Sequence, residues 1–585
     1  MLLERYLESL GSDAIQKALG LDGPRPAIVR PTTDPKFGDF QINGAMPLGK
    51  ELGKPPRELA QPIAEVLTGV DAIEKAEVAG PGFVNIHLAT DWIASKLHEA
   101  ARDAGRDGVP VVEEPSKIVV DFSSPNIAKQ MHVGHLRSTI IGDALARILS
   151  FMGHEVVRDN HLGDWGTQFG LLIIGMREWG DEAALQADPI VELERVYKLA
   201  SERAGNDQAF AEQARVELAK LQSGDTENRR LWEHFVEVSR GNLDAVYDEL
   251  DVSFDLWLGE SAYHDALPGV VEELLQRGIA REDEGAVCVF WEDVNDVPKA
   301  LRKQKTPFIV QKKDGAFLYS TTDIATVLYR RDALHADRAL YVVDNRQGLH
   351  FQQLFAVMKL LGVDMDLEHI GFGTVLGRDG KPLRTRDASG NVITLASLLE
   401  ESKQRARQRI EEGIAEGRLR VRPEEMDEVS RVVGIGAVKY ADLRQNRLSD
   451  YQFDWDKMIS FQGNAGPYLQ YAYARSASIF AKGGLDMEAA ANATIALDAP
   501  AELALGKQLL RFSDVVYQAG ATSQPHLICE HIYELARAFN GFYAECPVLD
   551  AEGASRESRL GLTALTARQI RRGLGLVGIG VVDRM

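Results

Sequence analysis

The chain has 585 residues, 45% of them hydrophobic, and a formal net charge of −21. This length exceeds what one hydrophobic core supports and predicts several domains, and the acidic charge argues against a broadly basic nucleic-acid binder, so any RNA site must be a local patch. No apolar run is long enough to span a bilayer and residues 1–6 carry no secretion signal, so we expect a cytoplasmic protein without membrane partners. The three cysteines, Cys288, Cys529 and Cys546, are too scattered to indicate a disulfide framework or a metal site.

The first part of the chain, residues 1–108, has the pattern of a small α+β module. Helical apolar spacing alternates with short extended stretches and a Gly-Pro-Gly turn. A polar stretch at 103–114, with Gly, Asp and Pro, predicts the first linker. The predicted elements are helices at 4–19 and 56–67 and strands at 39–43 and 83–87.

A parallel sheet is predicted next, because a strand, a helix and a second strand follow one another within about 45 residues. The α/β pattern pauses at about 175–305, where Glu, Ala, Leu and Arg at helical spacing indicate a helical insertion, and then returns. The strands of this part are predicted at 117–122, 155–159, 339–343 and 368–372, and its helices at 134–151 and 349–361.

From about residue 396 the chain is predicted to be helical to its end. We find neither an internal repeat nor a long low-complexity tract. The predicted helices are 397–416, 431–440, 466–480, 503–520, 526–542 and 560–578.

The strand-to-helix junction after residue 122 carries the strongest signal of chemistry. Its sequence, Ser-Ser-Pro-Asn-Ile-Ala-Lys-Gln-Met-His-Val-Gly-His at 123–135, lacks the Gly-x-Gly-x-x-Gly turn of a dinucleotide-binding fold. His132 and His135 fall on one face of the first helical turn, where free N–H groups and the helix dipole attract anions. Gly134 leaves room for a base or sugar close to the backbone. Spacing alone leaves open a histidine pair that only caps the helix or binds a metal.

The same segment resembles the HIGH signature of class I aminoacyl-tRNA synthetases, in the Ser-Pro-Asn form of the arginyl-tRNA synthetase family. The resemblance implies that His132, Gly134 and His135 bind ATP and that the two imidazoles steady the transition state for attack on the α-phosphate. It also implies that L-arginine and tRNA(Arg) are the other substrates and that activation needs bound tRNA. Magnesium is expected to enter with ATP, and no permanent cofactor or protein-bound metal is expected.

Further segments extend this resemblance along nearly the whole chain. They lie at 161–170, 315–323, 341–350, 462–475 and 581–585. The first of them follows a predicted strand, at the edge where open α/β sheets bind ligands. The nucleotide site implied by the family also includes Gly163, Asp164, Thr374 and Val375.

Arginine as a substrate agrees with the chemistry of these segments. A guanidinium stays charged and has five N–H donors in a rigid fork, so its pocket needs carboxylate acceptors. Asp323 is the first candidate and Tyr319 supports it, whereas Asp121 stands where the family more often has Glu. The remaining residues implied for arginine are Ser124, Asn126, His161 and Gln347, of which Asn126 and Gln347 would hold its amino and carboxylate ends.

The second catalytic loop departs from the usual class I pattern. Residues 377–386, Gly-Arg-Asp-Gly-Lys-Pro-Leu-Arg-Thr-Arg, occupy the place of the Lys-Met-Ser-Lys-Ser loop and lack its second lysine. Lys381, Arg384, Arg386 and Lys129 are candidates for the positive charge at the β- and γ-phosphates, and the sequence leaves their ranking open. The alternative is a basic hairpin on the surface.

The tRNA surface is predicted from local basic and aromatic residues. The charged helix at 403–412 pairs its own Lys and Arg with Glu and is set aside. The resemblance places the anticodon on the C-terminal helices, where tyrosines could stack on unpaired bases, and the tRNA elbow on the N-terminal module. The candidate contacts are Phe40, Asn43, Phe83, Asn85, Arg444, Arg447, Tyr468, Tyr471 and Met585.

These observations predict a multidomain α/β protein with a Rossmann-like parallel sheet and a helical insertion. The N-terminal α+β domain is expected at 1–108, the catalytic domain at 115–395 with the insertion at about 175–305, and an all-α anticodon-binding bundle at 396–585. The predicted function is an arginine–tRNA ligase. The resemblance also implies that the protein is a monomer. Three rivals are a different class I synthetase such as a cysteinyl enzyme, a nucleotidyltransferase without tRNA, and a non-catalytic tRNA-binding paralogue.

Overall fold

The computed structural model describes residues 1–32, 34–292, 294, 297–383 and 393–585. They form two compact units, each assembled from separate parts of the chain. One unit comprises Met1–Val112, Arg409–Val433 and Ser460–Met585, and the other comprises Glu113–Gln408 and Gly434–Ile459. Within the described ranges, no helix combines the length and the apolar character that a membrane crossing needs.

The N-terminal part of the first unit is an antiparallel sheet with helices, as the sequence predicts. Its strand order is β1-β2-β4-β3, and its apolar face is covered by the first and third helices. The predicted elements are present, together with four that the sequence did not reveal: β1, α2, β3 and α4. The elements are α1 (Leu3–Leu19), β1 (Val29–Pro31), β2 (Phe40–Ile42), α2 (Ala45–Leu52), α3 (Pro56–Leu67), β3 (Ile73–Ala79), β4 (Phe83–Leu88) and α4 (Thr90–Arg102).

The second unit is built on the predicted parallel sheet. In this sheet every strand pair is parallel and the strand order is β11-β10-β5-β6. The two strands of the predicted βαβ unit, β5 and β6, therefore lie side by side. The elements that form and flank this sheet are β5 (Lys117–Asp121), α5 (Leu136–Met152), β6 (Glu155–Asp159), α6 (Gln168–Trp179), α7 (Glu182–Ala187), α8 (Pro189–Asn206), α9 (Gln208–Gln222), α10 (Thr226–Glu249), α11 (Leu267–Gln276), β7 (Arg281–Asp283), β8 (Ala286–Val289), α12 (Lys299–Arg302), β9 (Phe308–Gln311), α13 (Tyr319–Asp332), β10 (Arg338–Tyr341), α14 (Gly348–Leu360), β11 (Asp366–His369) and β12 (Val375–Leu376).

The insertion is helical only in its first part. Four successive helices, α7 to α10, begin at an aspartate whose side chain accepts backbone N–H groups of the first turn, which is the preferred N-cap chemistry. The prediction of helix up to about residue 305 is wrong after α11, where β7, β8 and β9 form a small antiparallel sheet. The short run Ala286–Val289 carries β-branched residues on strands too short for periodicity to identify.

The rest of the chain is helical apart from one short strand. β13 pairs in parallel with β12 inside the second unit. These elements are α15 (Leu395–Ala415), α16 (Met426–Leu443), β13 (Tyr451–Gln452), α17 (Trp455–Met458), α18 (Gly466–Gly483), α19 (Met487–Ala490), α20 (Pro500–Leu510), α21 (Phe512–Ala521), α22 (His526–Glu545) and α23 (Gly553–Leu576).

The single helix predicted at 503–520 is two helices that meet at Arg511. Asp514, in the first turn of α21, accepts the N–H groups of Leu3 and Glu4 at 3.2 Å each and so caps α1. Apolar periodicity continues through the junction because it reports local spacing and carries no information on this tertiary contact.

The N-terminal module is also fixed to α23 by a buried ion cluster. The Asp107 carboxylate accepts hydrogen bonds from Arg568 Nε at 2.8 Å and from Arg572 Nε at 2.5 Å. The Asp107 side chain is fully buried, so two guanidinium groups compensate its desolvation. Lys507 adds a more exposed pair with Asp39 at 2.7 Å.

The stability of the first unit is expected to depend on pH through His531. This side chain is fully buried against Phe512, and burial lowers its pKa to about 3. Below its ordinary pKa of about 6.5 the unfolded chain binds a proton that the folded chain does not, so stability falls as the pH drops from about 6.5 towards 3. His531→Leu is expected to remove about 2 kcal/mol of the loss between pH 7 and pH 5. Urea unfolding at both pH values measures this, and an unchanged pH dependence in the variant would contradict it.

Candidate active site

The backbone turns sharply where β5 ends. Ser123 and Ser124 have φ of 73° and 49°, a left-handed conformation that is uncommon for residues other than glycine. Buried side chains accept both N–H groups. The Ser123 N–H donates to Ser138 Oγ at 2.9 Å, and the Ser124 N–H donates to Asn160 Oδ1 at 3.1 Å. The Ser124 hydroxyl donates to Asp121 Oδ1 at 3.0 Å. The strained turn is therefore fixed from both neighbouring elements, as strain at functional sites requires.

The signature loop is tied to the loop that follows β6. Ile127 N–H donates to the Gly163 carbonyl, and Gly163 N–H donates to the Pro125 carbonyl, both at 3.2 Å. A Cβ at Gly163 would lie 2.3 Å from Asn126 Oδ1, so a side chain there would have to displace the Asn126 amide. The predicted nucleotide residue Gly163 and the predicted arginine residue Asn126 are thus neighbours at the same edge of the sheet.

His132 and His135 form the entry to α5. Their rings stack with centroids 4.1 Å apart, and the His132 N–H donates to His135 Nδ1 at 3.1 Å. The Gly134 N–H donates to His132 Nδ1 at 3.0 Å. A Cβ at Gly134 would lie 2.7 Å from the His132 ring, so this glycine makes room for the imidazole as well as for any ligand.

These bonds determine the protonation of the pair. Because both Nδ1 atoms accept backbone N–H groups, each neutral imidazole carries its proton on Nε2. Burial lowers the pKa of His135 to about 4, and burial together with the Lys129 charge lowers the pKa of His132. Near pH 7 the pair therefore offers two neutral Nε2–H donors at a helix N-terminus. This arrangement suits an oxyanion or phosphate better than a metal ion, because the lone pairs are already used.

Asp121 is already bound to an internal guanidinium. Arg330 Nη2 donates to Asp121 Oδ2 at 2.6 Å and to Asp159 Oδ2 at 2.7 Å. Asp121 and Asp159 are at equivalent positions on the neighbouring strands β5 and β6, and the Arg330 side chain is fully buried. With Ser124 on its second oxygen, Asp121 has both oxygens engaged inside the protein, which leaves it a poor direct ligand for a second guanidinium.

Asp323 is the most accessible of the predicted carboxylates. It lies on the first turns of α13, and its Oδ2 is 2.6 Å from His350 Nε2 on α14. Its side chain is 26% exposed. Tyr319 begins the same helix, is 59% exposed and is tilted against the His350 ring, with centroids 4.9 Å apart. The predicted Gln347 is exposed in the turn before α14.

Glu260 is a further acidic group that sequence reasoning missed. Burial raises its pKa; the positive charge of His161 opposes this shift, and the carboxylates of Asp164 and Asp323 add to it. Glu260 therefore lies near the predicted His161 and Asp323. No local motif marks it, because it begins a short 3₁₀ helix inside the insertion, between α10 and α11.

Asp164 has a structural role in this arrangement. Its carboxylate accepts the Ser261 N–H at 2.9 Å and the Ser261 hydroxyl at 2.6 Å, and the residue is only 4% exposed. The prediction that its side chain contacts ATP is not supported by this geometry. The physical reason is that Gly259 brings the 259–261 segment against it, since a Cβ there would lie 2.2 Å from the carboxylate.

The predicted second loop is a hairpin that starts in β12. The Thr374 N–H donates to Asp450 Oδ1 at 2.6 Å, and the Val375 carbonyl accepts the Leu383 N–H at 2.7 Å. Lys381 is exposed at the turn of this hairpin. Arg384 and Arg386 lie outside the described residues.

The N-terminal RNA candidates divide by exposure. Phe40 is 3% exposed and Asn85 is 2% exposed, and the Asn85 side chain accepts the Gln41 amide at 2.8 Å. Both side chains are buried, on opposite faces of the sheet according to the strand register, and direct RNA contact by them stays a prediction. Asn43 and Phe83 are half-buried at its edges.

The C-terminal candidates line or border a cleft of about 900 Å³. Tyr471 and Met585 are in its wall, whereas Tyr468 lies on α18 with its hydroxyl accepting the Asn540 amide at 2.9 Å. Tyr473, on the same helix, is buried with its hydroxyl 3.0 Å from Asp583. The cleft also contains five basic side chains: Arg418, Arg420, Arg475, Lys482 and Arg584.

The basic pair before β13 is partly engaged in the second unit. Arg447 Nη1 donates to the Gly371 carbonyl at 2.6 Å, and burial lowers its pKa. Arg444 is half-buried near the end of α16. Arg447 therefore stabilises the unit to which it belongs and is a weaker RNA candidate than the sequence suggests.

Comparisons with known proteins agree along the whole chain. The family model described as tRNA synthetases class I (R), catalytic domain, matches residues 102–455. The model of the arginyl tRNA synthetase N terminal domain matches 6–88, and that of the DALR anticodon binding domain matches 469–585.

Individual relatives give the same result. The chain is 44% identical to the arginine–tRNA ligase of Proteus mirabilis (strain HI4320), with 100% of both chains covered. It is 46% identical to that of Laribacter hongkongensis (strain HLHK9), with 97% of each covered. The crystal structure of arginyl-tRNA synthetase from Plasmodium falciparum matches with a TM-score of 0.83 and 28% identity, over 100% of this chain and 99% of the other.

The parallel sheet, the histidine pair after its central strand and the catalytic-domain match together define a class I aminoacyl-tRNA synthetase fold. Within that class, the N-terminal match and the full-length relatives are specific. The chain belongs to the arginyl-tRNA synthetase family.

Proposed function

We propose that the protein is an arginine–tRNA ligase. The α-carboxylate of L-arginine attacks the α-phosphorus of magnesium-bound ATP, the bond to the bridging oxygen breaks, and pyrophosphate leaves. The 2′-hydroxyl of the terminal adenosine of tRNA(Arg) then takes the arginyl group and AMP leaves. The observation that carries this proposal is the match to curated arginine–tRNA ligases at 44% identity over the whole chain.

In the activation step, the two Nε2–H donors of His132 and His135 serve the phosphate oxygens. They are oriented before ATP binds, so their gain in the transition state involves little reorganisation. Lys129 and Lys381 add positive charge at the β- and γ-phosphates, and Gly163 lets the nucleotide approach the backbone. Thr374 and Val375 place the hairpin next to the nucleotide.

In the arginine pocket, Asp323 and Glu260 accept the guanidinium N–H groups, and Tyr319 covers them. Two nearby carboxylates would make the pocket favour a permanent cation, and a bound guanidinium would offset the burial that raises the pKa of Glu260. Asn126 and Gln347 hold the amino and carboxylate ends, and His161 lies beside the acids. Asp121 acts indirectly, through its bond to Ser124.

The anticodon arm of the tRNA binds at the cleft on the C-terminal helices. Its basic side chains match the phosphates, and Tyr471 and Met585 provide surfaces on which unpaired bases can pack. A basic patch confined to this cleft is compatible with RNA binding by a chain whose overall net charge is −21. The N-terminal module at 1–108 contacts the tRNA elbow through exposed residues, the catalytic domain spans 115–395, and the anticodon bundle spans 396–585. The enzyme acts as a cytoplasmic monomer.

Charging of total bacterial tRNA with each of the twenty amino acids, ATP and magnesium tests this function. Arginine alone is the expected substrate. Charging with another amino acid would leave the class but overturn the pocket assignment, and no charging despite tRNA binding would favour a non-catalytic paralogue. Pyrophosphate exchange with and without tRNA tests the coupling, and a full rate without tRNA would contradict it.

A further inference from the structure

The loop before the histidine pair is held by the helical insertion. The Ala128 N–H donates to Ser239 Oγ of α10 at 3.0 Å, and the Gln130 N–H donates to Glu194 Oε1 of α8 at 2.9 Å. Between them, Lys129 Nζ lies 5.1 Å from the ring centroid of Tyr197, also on α8. Three consecutive loop residues are therefore contacted by α8 and α10, two helices of the insertion.

This arrangement fixes a conformation that the loop would not adopt alone. Ala128 has φ of 61°, in the left-handed region, and such strain persists only where surrounding contacts determine the backbone. Ser239 is 1% exposed and its hydroxyl donates in turn to the Phe235 carbonyl at 2.6 Å, so the acceptor is itself fixed.

The helix that presents Tyr197 is rigidly seated. Asp188 caps its N-terminus by accepting the Val191 N–H at 3.2 Å. Its inner face packs on α6, where a Cβ at Gly175 would lie 2.7 Å from Val196. Glu194 and Tyr197 are three residues apart and so lie on one face of this helix.

We propose that Tyr197 and Glu194 are positioning residues that aim the Lys129 ammonium at the ATP phosphates. The inference rests on the proposed role of Lys129. A lysine ammonium on a flexible four-carbon stem loses freedom when it binds a phosphate, and an aromatic face that already holds it removes part of that cost. The Glu194 carboxylate accepts the Gln130 N–H. It thereby fixes the backbone next to Lys129, from which the lysine side chain projects.

The position of the Lys129 ammonium matters more here than in class I enzymes that have the usual second lysine. The segment at 377–386 lacks the usual second lysine, so the positive charge at the phosphates depends more heavily on the signature loop. The helical insertion thereby supplies a part of the nucleotide site, although none of its own side chains has to touch the nucleotide.

Pyrophosphate exchange with saturating arginine and tRNA tests the proposal. Tyr197→Leu is expected to lower kcat/KM for ATP about three- to tenfold, while Tyr197→Phe, which keeps the ring, stays within about twofold of wild type. Glu194→Ala is expected to lower it similarly, and Glu194→Gln, which keeps an acceptor, is expected to restore most of it. KM for arginine is expected to remain unchanged in all four variants.

Two controls separate positioning from general damage. Arg203→Met removes another cation–ring contact of α8, to Phe210 at 4.6 Å, far from the loop, and is expected to leave kcat/KM for ATP unchanged. Thermal unfolding midpoints of all variants should match the wild type within a few degrees.

A double-mutant cycle gives the decisive result. In a Lys129→Met background, Tyr197→Leu is expected to cause no further loss, because its effect is carried by the ammonium. An equal loss in both backgrounds, or wild-type ATP kinetics in Lys129→Met alone, would overturn the inference. Arginine charging by the wild-type protein tests the proposed function independently of either result.

Discussion

Replacing Asp323 by asparagine is expected to lower kcat/KM for arginine about 10³-fold, which corresponds to ~4 kcal/mol. The substitution keeps the shape of the side chain but removes the charge that faces the substrate guanidinium, and it places an N–H₂ donor where the pocket needs an acceptor. His350, which now lies 2.6 Å from Asp323, keeps its ring contacts to Tyr319 and Phe351, so the pocket walls are retained. Arginine-dependent pyrophosphate exchange measures the effect.

The matched control is Asp332→Asn at the other end of the same helix. Asp332 is exposed and paired with Arg331, so its loss is expected to change kcat/KM less than twofold. KM for ATP should be unaltered in both variants. A second readout is discrimination against citrulline, the neutral urea analogue of arginine, which should decrease in Asp323→Asn. Unchanged discrimination together with a small loss would assign guanidinium recognition to Glu260 instead.

Replacing His135 by alanine is expected to lower kcat of arginine activation by 10²- to 10³-fold, the usual cost of one preorganised donor to a developing oxyanion. The substitution also removes the acceptor of the His132 N–H, so the second imidazole loses its orientation. Single-turnover formation of the adenylate at saturating ATP and arginine measures the chemical step without interference from product release.

His135→Gln distinguishes the two contributions. Glutamine can place an amide donor near the position of Nε2 but offers no acceptor at Nδ1, so an intermediate rate is expected. Between pH 6 and 8 the wild-type rate should show no protonation step from His135, because its pKa is lowered to about 4. If activity required the imidazolium, the rate would rise as the pH fell, and the neutral-donor role would be wrong.

The sequence was sufficient to predict the family, the parallel sheet and the position of the histidine pair. These features depend on local signals: a strand with residues at its end, a helix with an apolar face, and a motif between them. The family and the fold class are confirmed by the comparisons and by the strand order. The two histidines were placed on one helical turn; in the structure their rings stack at the entry to α5, with His132 as the extended N-cap of a short 3₁₀ turn that contains His135. The tautomers follow only from the Nδ1 contacts.

What the sequence missed depends on distant partners. Asp121 is a plausible substrate ligand until Arg330, 209 positions later, is found on its carboxylate. Glu260 comes near His161 and Asp323 only because the chain of the insertion returns to the sheet after α10. Phe40 and Asn85 belong to motifs of the N-terminal module but are buried on opposite faces of its sheet, and alternation over strands this short did not identify them as buried.

During synthesis, the ion cluster of Asp107 cannot form until its arginine partners on α23 have been translated. Its arginine partner on α23 follows 461 positions later, and at 5–20 residues per second the ribosome needs about 20 to 90 s to reach it. Until then the N-terminal module has a hydrated carboxylate in place of a buried one, and α1 lacks the aspartate that caps it. A helix made much later therefore completes the N-terminal module, and docking of α23 on that module is a late step of folding.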